Sequence, residues 1–348
     1  MPKTPAQVVK ALQSDRRDAL RVVQQKGLKG TRQLLKSAHV ELAERLDAVM
    51  EKSGEDTYTA AKVRAQLEQV KLVEKRLTLG MRGLVLQQGE DAAGLAVEHT
   101  VRALVDGEAA HHGAALAEAL PLREASMLDE AVVGVRASIL RRLGGDPEHP
   151  AAEGILARYG EATVGTFEQE LRMGLLTGRT WEATADRLEA RSPFLAGQPR
   201  FWAERIVRTE TMGAYNRAGF EATREADEQL GDAVKILVST FDDRTGADSI
   251  DVHGQIRRPE EAFESWFGLF QHPPDRPNDR AVVVPHRISW PIPPELAWRP
   301  RAEVLQRWKA EKRKGAPPPR PKMTTVPLSR FGAAPARAKG GDSESPGS

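Results

Sequence analysis

The sequence predicts an α+β protein: a largely helical N-terminal and central body, a small α+β C-terminal module and a disordered basic tail. Three observations lead there. Apolar residues recur every three or four positions through much of the first 230 residues, the period of a half-buried helix. Beyond Gly231 the pattern changes to short β-branched runs, "DAVKILVSTF" and "AVVVP", separated by turn formers. From 312 to 348, Pro, Gly, Ala and Ser dominate, so the segment buries too little apolar surface to offset its ordering entropy. The corresponding division is 1–120, a helical arm or hairpin region; 121–230, a central helical region; 231–310, the α+β module; and 311–348, the tail.

In the first region, "TRQLLKSAHVELAERLDAVMEK" places Leu35, Ala38, Leu42, Leu46 and Val49 on one stripe, with Thr31 as the expected N-cap. From Thr59 a second helix carries Val63, Leu67, Val70, Glu74, Leu77, Met81 and Leu84 at steps of four and three, a heptad seam with one polar break. Gly54 in "KSGEDT" supplies a turn, so the two helices fold back as an antiparallel hairpin. The plainer reading of the seam is the interior of a helical bundle; the alternative is a long arm whose seam packs on a partner. The adjacent His111 and His112 lack carboxylates at helical spacing and read as no metal site.

The central region continues with "TVGTFEQELRMGLLTGRTWEATADRLEARSPF", read as helix, turn and helix, with Thr180 as N-cap and Trp181, Ala185 and Leu188 buried. In "FWAERIVRTETMGAYNRAGFEATREADEQ", Trp202, Ile206, Gly213 and Phe220 share one face. Arg208, Thr209 and Glu210 are consecutive, so they diverge around the helix and form no triad. The module then runs from the strand "DAVKILVSTF" through an Asp-rich stretch to "PEEAFESWFGLF", read as a short helix, and on to the strand "AVVVP". An extended Pro-rich path leads to a final short helix, "PRAEVLQRWKAEKRK".

Charge and composition exclude several classes. Cysteine is absent, which removes disulfides, thiol nucleophiles and cysteine-bound zinc and suits a reducing compartment. The N-terminus is charged throughout and has no signal-peptide core, and no uncharged apolar run approaches the roughly 18 residues of a membrane span. The formal net charge is only +2, but residues 312–348 carry eight Lys or Arg against Asp342 and Glu344, leaving −4 for the remainder. The tail therefore serves solubility or, more specifically, a loose electrostatic contact with DNA or an acidic surface. No phosphate-binding loop, Gly-x-Ser-x-Gly or His-Glu-x-x-His occurs, so the familiar enzyme classes that use them lack support.

The stretch "FDDRTGADSIDVHG" at 241–254 holds four aspartates, an arginine and a histidine. As a metal-dependent nuclease or toxin-like site, Asp242, Asp243, Asp248, Asp251 and His253 would bind Mg²⁺ or a hydrolytic water. The intervening "GADS" opposes their convergence, and a basic or nucleophilic partner is missing. Asp and Ser are turn formers, and His253 beside Gly254 is placed to fix a turn, so the reading is structural.

Read in order, Arg208-Thr209-Glu210 on a helix, Asp242, Arg244 and Thr245 after a strand, Gly254 ending a turn, and Pro277, Asn278 and Arg280 leading into a strand resemble the Mu F-like head morphogenesis family of tailed-phage minor head proteins. The resemblance spans about 171–285. It implies a structural, non-enzymatic protein of the phage head, assembled in the host cytoplasm, with portal and capsid proteins as partners, DNA nearby and no cofactor. Many relatives carry Cys-x-x-Cys and Cys-x-Cys where this chain has Gly246, Ser249, Asp279 and Ala281. Losing all four ligands together implies a zinc-free module held by packing and hydrogen bonds.

In that arrangement Asp242 accepts backbone N–H groups and Arg244 offers five donors, fastening the loop to "PNDR". Replacing either by Ala is expected to lower stability by about 1–3 kcal/mol, the scale of an orphaned charged hydrogen-bond partner, measured by chemical denaturation. Variants that melt like the parent but abolish a nuclease activity would establish the catalytic reading instead.

Overall fold

The computed structural model describes residues 5–51, 59–144, 154–180, 183–184, 186–188, 198–239, 247–265, 268–274, 279–294 and 296–297. The "KSGEDT" turn, Trp181, Ala185, the Trp202 side chain, the final short helix and the tail lie outside them.

Helix α1 (Pro5–Glu51) and helix α2 (Ala60–His112) run antiparallel. Ion pairs bridge them along their length: Asp15 with Arg102 at 3.0 Å, Lys26 with Asp91 at 2.8 Å, and Glu41 with Arg76. Pro5 opens α1, where a missing N–H costs nothing. Thr31 is not its N-cap. The helix passes straight through this residue, whose hydroxyl donates to the Gly27 carbonyl one turn back at 2.9 Å. Thr59 does cap α2, accepting from the Lys62 N–H at 3.3 Å.

The heptad seam is interior. Val63, Val70, Leu77 and Met81 are buried and Leu67 and Leu84 partly so, which removes the reading of an exposed arm seam. Leu42 and Leu46 of α1 are buried as well, Leu84 packs onto Gly30, and Leu34 packs onto Gly80. Glu74, the polar break, sits beside Gly160 and accepts from the Thr78 hydroxyl at 2.7 Å.

A short α3 (Ala114–Glu118) leads to α4 (Glu124–Leu143), which packs on α2 through Ile139 and Val135 at Gly89. Helix α5 (Ile155–Leu176) follows, with Phe167 and Leu171 fully buried. Thr180 then acts as an N-cap, accepting from the Ala183 N–H at 3.3 Å, and Leu188 is buried. Helix α6 (Gln198–Leu230) lies across α2, α4 and α1. Its Val207, Ala214, Ala218 and Ala222 are small and buried, which allows close approach.

The module comprises β1 (Ala233–Val238), α7 (Ala247–Val252), β2 (Ile256–Arg257), β3 (Phe263–Ser265), β4 (Gly268–Phe270) and β5 (Val282–Arg287). Strands β2, β1 and β5 form an antiparallel sheet in that order, with β1 central and Lys235 opposite both Arg257 and Pro285. Every residue of β1 is buried. Ala233, Val234, Ile236 and Val238 join the core of the helical body, whereas Leu237 packs with Val252, Phe263, Ala281 and Val283 in a small second cluster.

The segment expected as a short helix, "PEEAFESWFGLF", is instead a turn and the hairpin β3–β4. Arg258 and Glu261 close the turn, and Phe263 pairs opposite Phe270 with ring centroids 5.7 Å apart. Gly268 at φ +123° takes a conformation no helix contains, so aromatics spaced for a helix face each other across two strands.

Leu104 is fully buried in this shared core. Leu104→Ala should cost about 2–5 kcal/mol, the range for deleting a buried leucine, measured as a shift in denaturation midpoint at unchanged slope.

Candidate functional site

Of the residues singled out from the sequence, Arg208, Thr209 and Glu210 lie on α6, while Gly254 and Arg280 lie in the module. Glu210 faces inward from α6 and pairs with Arg142 of α4 at 2.9 Å. Burial pushes its carboxyl above the usual carboxylate range, and the guanidinium of Arg142 opposes that shift. Arg208 turns the other way and donates to Glu204 one turn back at 3.1 Å, while Thr209 is half-buried between them. The three do not converge, as consecutive positions on a helix require.

Gly254 ends the α7 turn at φ +80°, and its N–H donates to the Leu237 carbonyl at 2.8 Å. Beside it, His253 Nδ1 accepts from the Ser239 N–H at 3.1 Å, and the Ser239 hydroxyl donates to the Ser249 carbonyl. Thus His253 fastens the end of β1 to the turn. Asp242, Arg244, Thr245, Pro277 and Asn278 lie outside the described residues, as do Asp243 and Gly246. Arg280 is half-buried just before β5. Of the positions that carry cysteine in relatives, Ser249, Asp279 and Ala281 are buried, and Asp279 accepts from the Ala281 N–H at 3.0 Å in a local turn. Among the described residues, no group of three or more His, Asp or Glu is placed to hold a metal ion.

Three further constellations carry the junction. Asn216 of α6 donates through Nδ2 to the Ala281 carbonyl at 2.9 Å and accepts at Oδ1 from the Val283 N–H at 3.0 Å. Its amide thereby replaces a neighbouring strand on the outer edge of β5. Amides 281, 283 and 285 face this side, so Pro285 costs the β1 ladder no bond.

Lys235 is buried at the centre of β1, donating to the Pro259 carbonyl and to the Gln271 carbonyl and side-chain oxygen at 2.9–3.0 Å. Its ammonium also lies over the rings of Phe220 and Phe263 at 4.7 and 4.9 Å. Burial lowers its pKa to about 8.

Glu108 of α2 accepts from the Arg287 guanidinium at 2.6 Å, from the Trp290 indole at 3.2 Å, and meets His112 Nδ1 at 3.1 Å. Arg287 also donates to Asp232 at 2.8 Å, and Trp290 stacks on His111 while its ring fills the space left by Gly107. His112 therefore does have a carboxylate at helical spacing, four residues before it, but that carboxylate is engaged by the module.

Residues 165–284 match the family model described as Phage Mu protein F like protein. The chain thus carries a phage Mu head-morphogenesis-like domain, running from within α5 to within β5. No curated protein and no solved structure shows significant similarity to the chain. Among the described residues no helix is long and apolar enough to cross a membrane.

Within the Mu F-like domain, Asn216 and Lys235 do work that the sequence reading did not assign. Lys235 gives a local signal, because it interrupts an otherwise apolar strand. Asn216→Ala removes both partners of the β5 edge and should cost about 1–3 kcal/mol, with faster amide hydrogen exchange at Val283 than at the β1-paired amides of β5.

Proposed function

We propose that this chain is a minor structural head protein of a tailed bacteriophage or prophage that acts in capsid assembly next to the portal. The observation that carries the reading is the Mu F-like match over 165–284. The described signature residues support it: Glu210 and Gly254 are engaged in holding the domain together, and Arg208 pairs within its own helix. Asp251 and His253 are buried, and His253 is engaged in fastening the end of β1 to the α7 turn.

Portal and capsid proteins are the expected partners. The contact is assigned to outward faces of the helical region up to about Arg200, because the heptad seam itself is occupied inside the bundle. Residues 311–348 form a basic tail that adds a salt-sensitive contact with packaged DNA, since exposed charges are screened beyond about 8 Å at physiological ionic strength. The working place of the protein is the virion, after assembly in the host cytoplasm.

The test is co-expression with the portal protein of the same phage or prophage, followed by affinity purification. The full chain and a chain lacking 312–348 are both expected to retain the portal at moderate salt. No portal recovery with the full chain, together with normal assembly and infection by a phage lacking the gene, overturns the proposal.

A further inference from the structure

Helix α1 is electrically polarised along its length. Residues 10–36 contain eight Lys or Arg against Asp15 and Asp18, whereas residues 37–51 contain four acids against Arg45. We propose that the basic half of α1, continued by Arg208 of α6, is a surface that binds the phosphate backbone of double-stranded DNA.

The geometry supports a track rather than a scatter of charges. Arg17, Arg21, Gln25, Lys29 and Gln33 follow one another at steps of four on the helix surface, and Lys36 continues the same side. At 1.5 Å per residue the row from Arg17 to Lys36 is about 28 Å long. Arg17, Arg21, Lys29 and Lys36 are exposed and, among the described residues, have no ion-pair partner.

Acids close to this track are mostly engaged. Asp15 is tied to Arg102 at 3.0 Å and Asp91 to Lys26 at 2.8 Å. Glu204 of α6 is shared by Arg32 at 2.9 Å and Arg208 at 3.1 Å, which leaves that crossing positive. Asp18 is the one exposed acid among the four cations. The surface lies beside the Mu F-like domain, because Arg32 pairs with Glu204 and Gly27 packs against Val207.

The chemistry favours a polyanion over a protein. Interface cores between proteins are enriched in aromatics and depleted in Lys. Between Arg17 and Lys36 the only large apolar side chain strongly exposed is Val22. Arg and Lys in a row with adaptable Gln between them suit sequence-independent contact with phosphates, which releases counterions and is steeply salt-dependent. This inference rests on the α1 surface and not on portal association, and the two fail separately.

The experiment measures binding of the full-length protein to a 30-base-pair duplex of random sequence at roughly 50–200 mM salt, the range over which phosphate binding weakens steeply. A variant carrying Arg17→Gln, Arg21→Gln, Lys29→Gln and Lys36→Gln is expected to bind at least tenfold more weakly at about 100 mM salt. Its slope of log affinity against log salt should be shallower by about 3–4, near 0.9 for each phosphate no longer neutralised. Lys29→Gln with Lys36→Gln alone should remove about half of that slope change, and both variants should melt like the parent. A full-length variant with the tail's Lys and Arg changed to Gln should keep the α1-dependent part of the slope. The proposal is overturned if the parent does not bind the duplex, or if the fourfold variant binds with parental affinity and slope. It is equally overturned if the fourfold variant loses portal recovery while DNA binding is unchanged, which makes the surface a protein interface.

Discussion

Strand β1 has to be covered on both faces and paired on both edges, and most of the structure follows from meeting that demand. All six of its residues are buried. One face takes part in the core formed by the helices, the other is roofed by Phe263 and Val252, and β2 and β5 supply the edges. A charged residue in such a strand is tolerated only if its polar atoms are satisfied. Lys235 meets that condition with three oxygen acceptors, two of them on Gln271 just beyond β4 and one on Pro259 before β3. The hairpin is thus tied to the sheet by an ammonium group rather than by a continuous ladder.

Side-chain amides do similar work at the strand edges. Gln255 donates to the Glu264 carbonyl at 2.8 Å and accepts from the Glu264 N–H at 3.0 Å, linking the end of the α7 turn to β3. Asn216 makes the same two-way contact with β5. On the opposite side of the module, Glu108 collects Arg287 and Trp290, so α2 and α6 hold β5 from two directions. Breaking one member of such a buried charged set leaves the others uncompensated, which makes the junction cooperative.

The helices, β1 and β5 were legible in the sequence because their signals are local: a three-to-four period, or a run of β-branched residues between turns. The Thr180 cap was legible for the same reason. Thr31 misled because a threonine hydroxyl can satisfy itself inside a helix on the carbonyl four residues back. Phe263, Trp266, Phe267 and Phe270 have helical spacing, yet the positive φ of Gly268 folds the segment into a hairpin. Asn216 and Glu108 were invisible as linchpins because their partners lie 65 and 179 residues away, and no periodicity encodes those distances. The Mu F-like resemblance was legible from motif order, with limits of 171–285 against the matched 165–284.

The way β5 ends the sheet also bears on how copies of the chain behave when crowded. An exposed strand edge is a template on which another molecule can add its own strand, and aggregation commonly starts there. Here the outward positions from 281 to 285 are an amide pair already occupied by Asn216 and a proline with no hydrogen to give. The sheet is therefore terminated chemically at that edge. Many copies concentrated in a small volume can meet through their side chains without exchanging or stacking strands along β5.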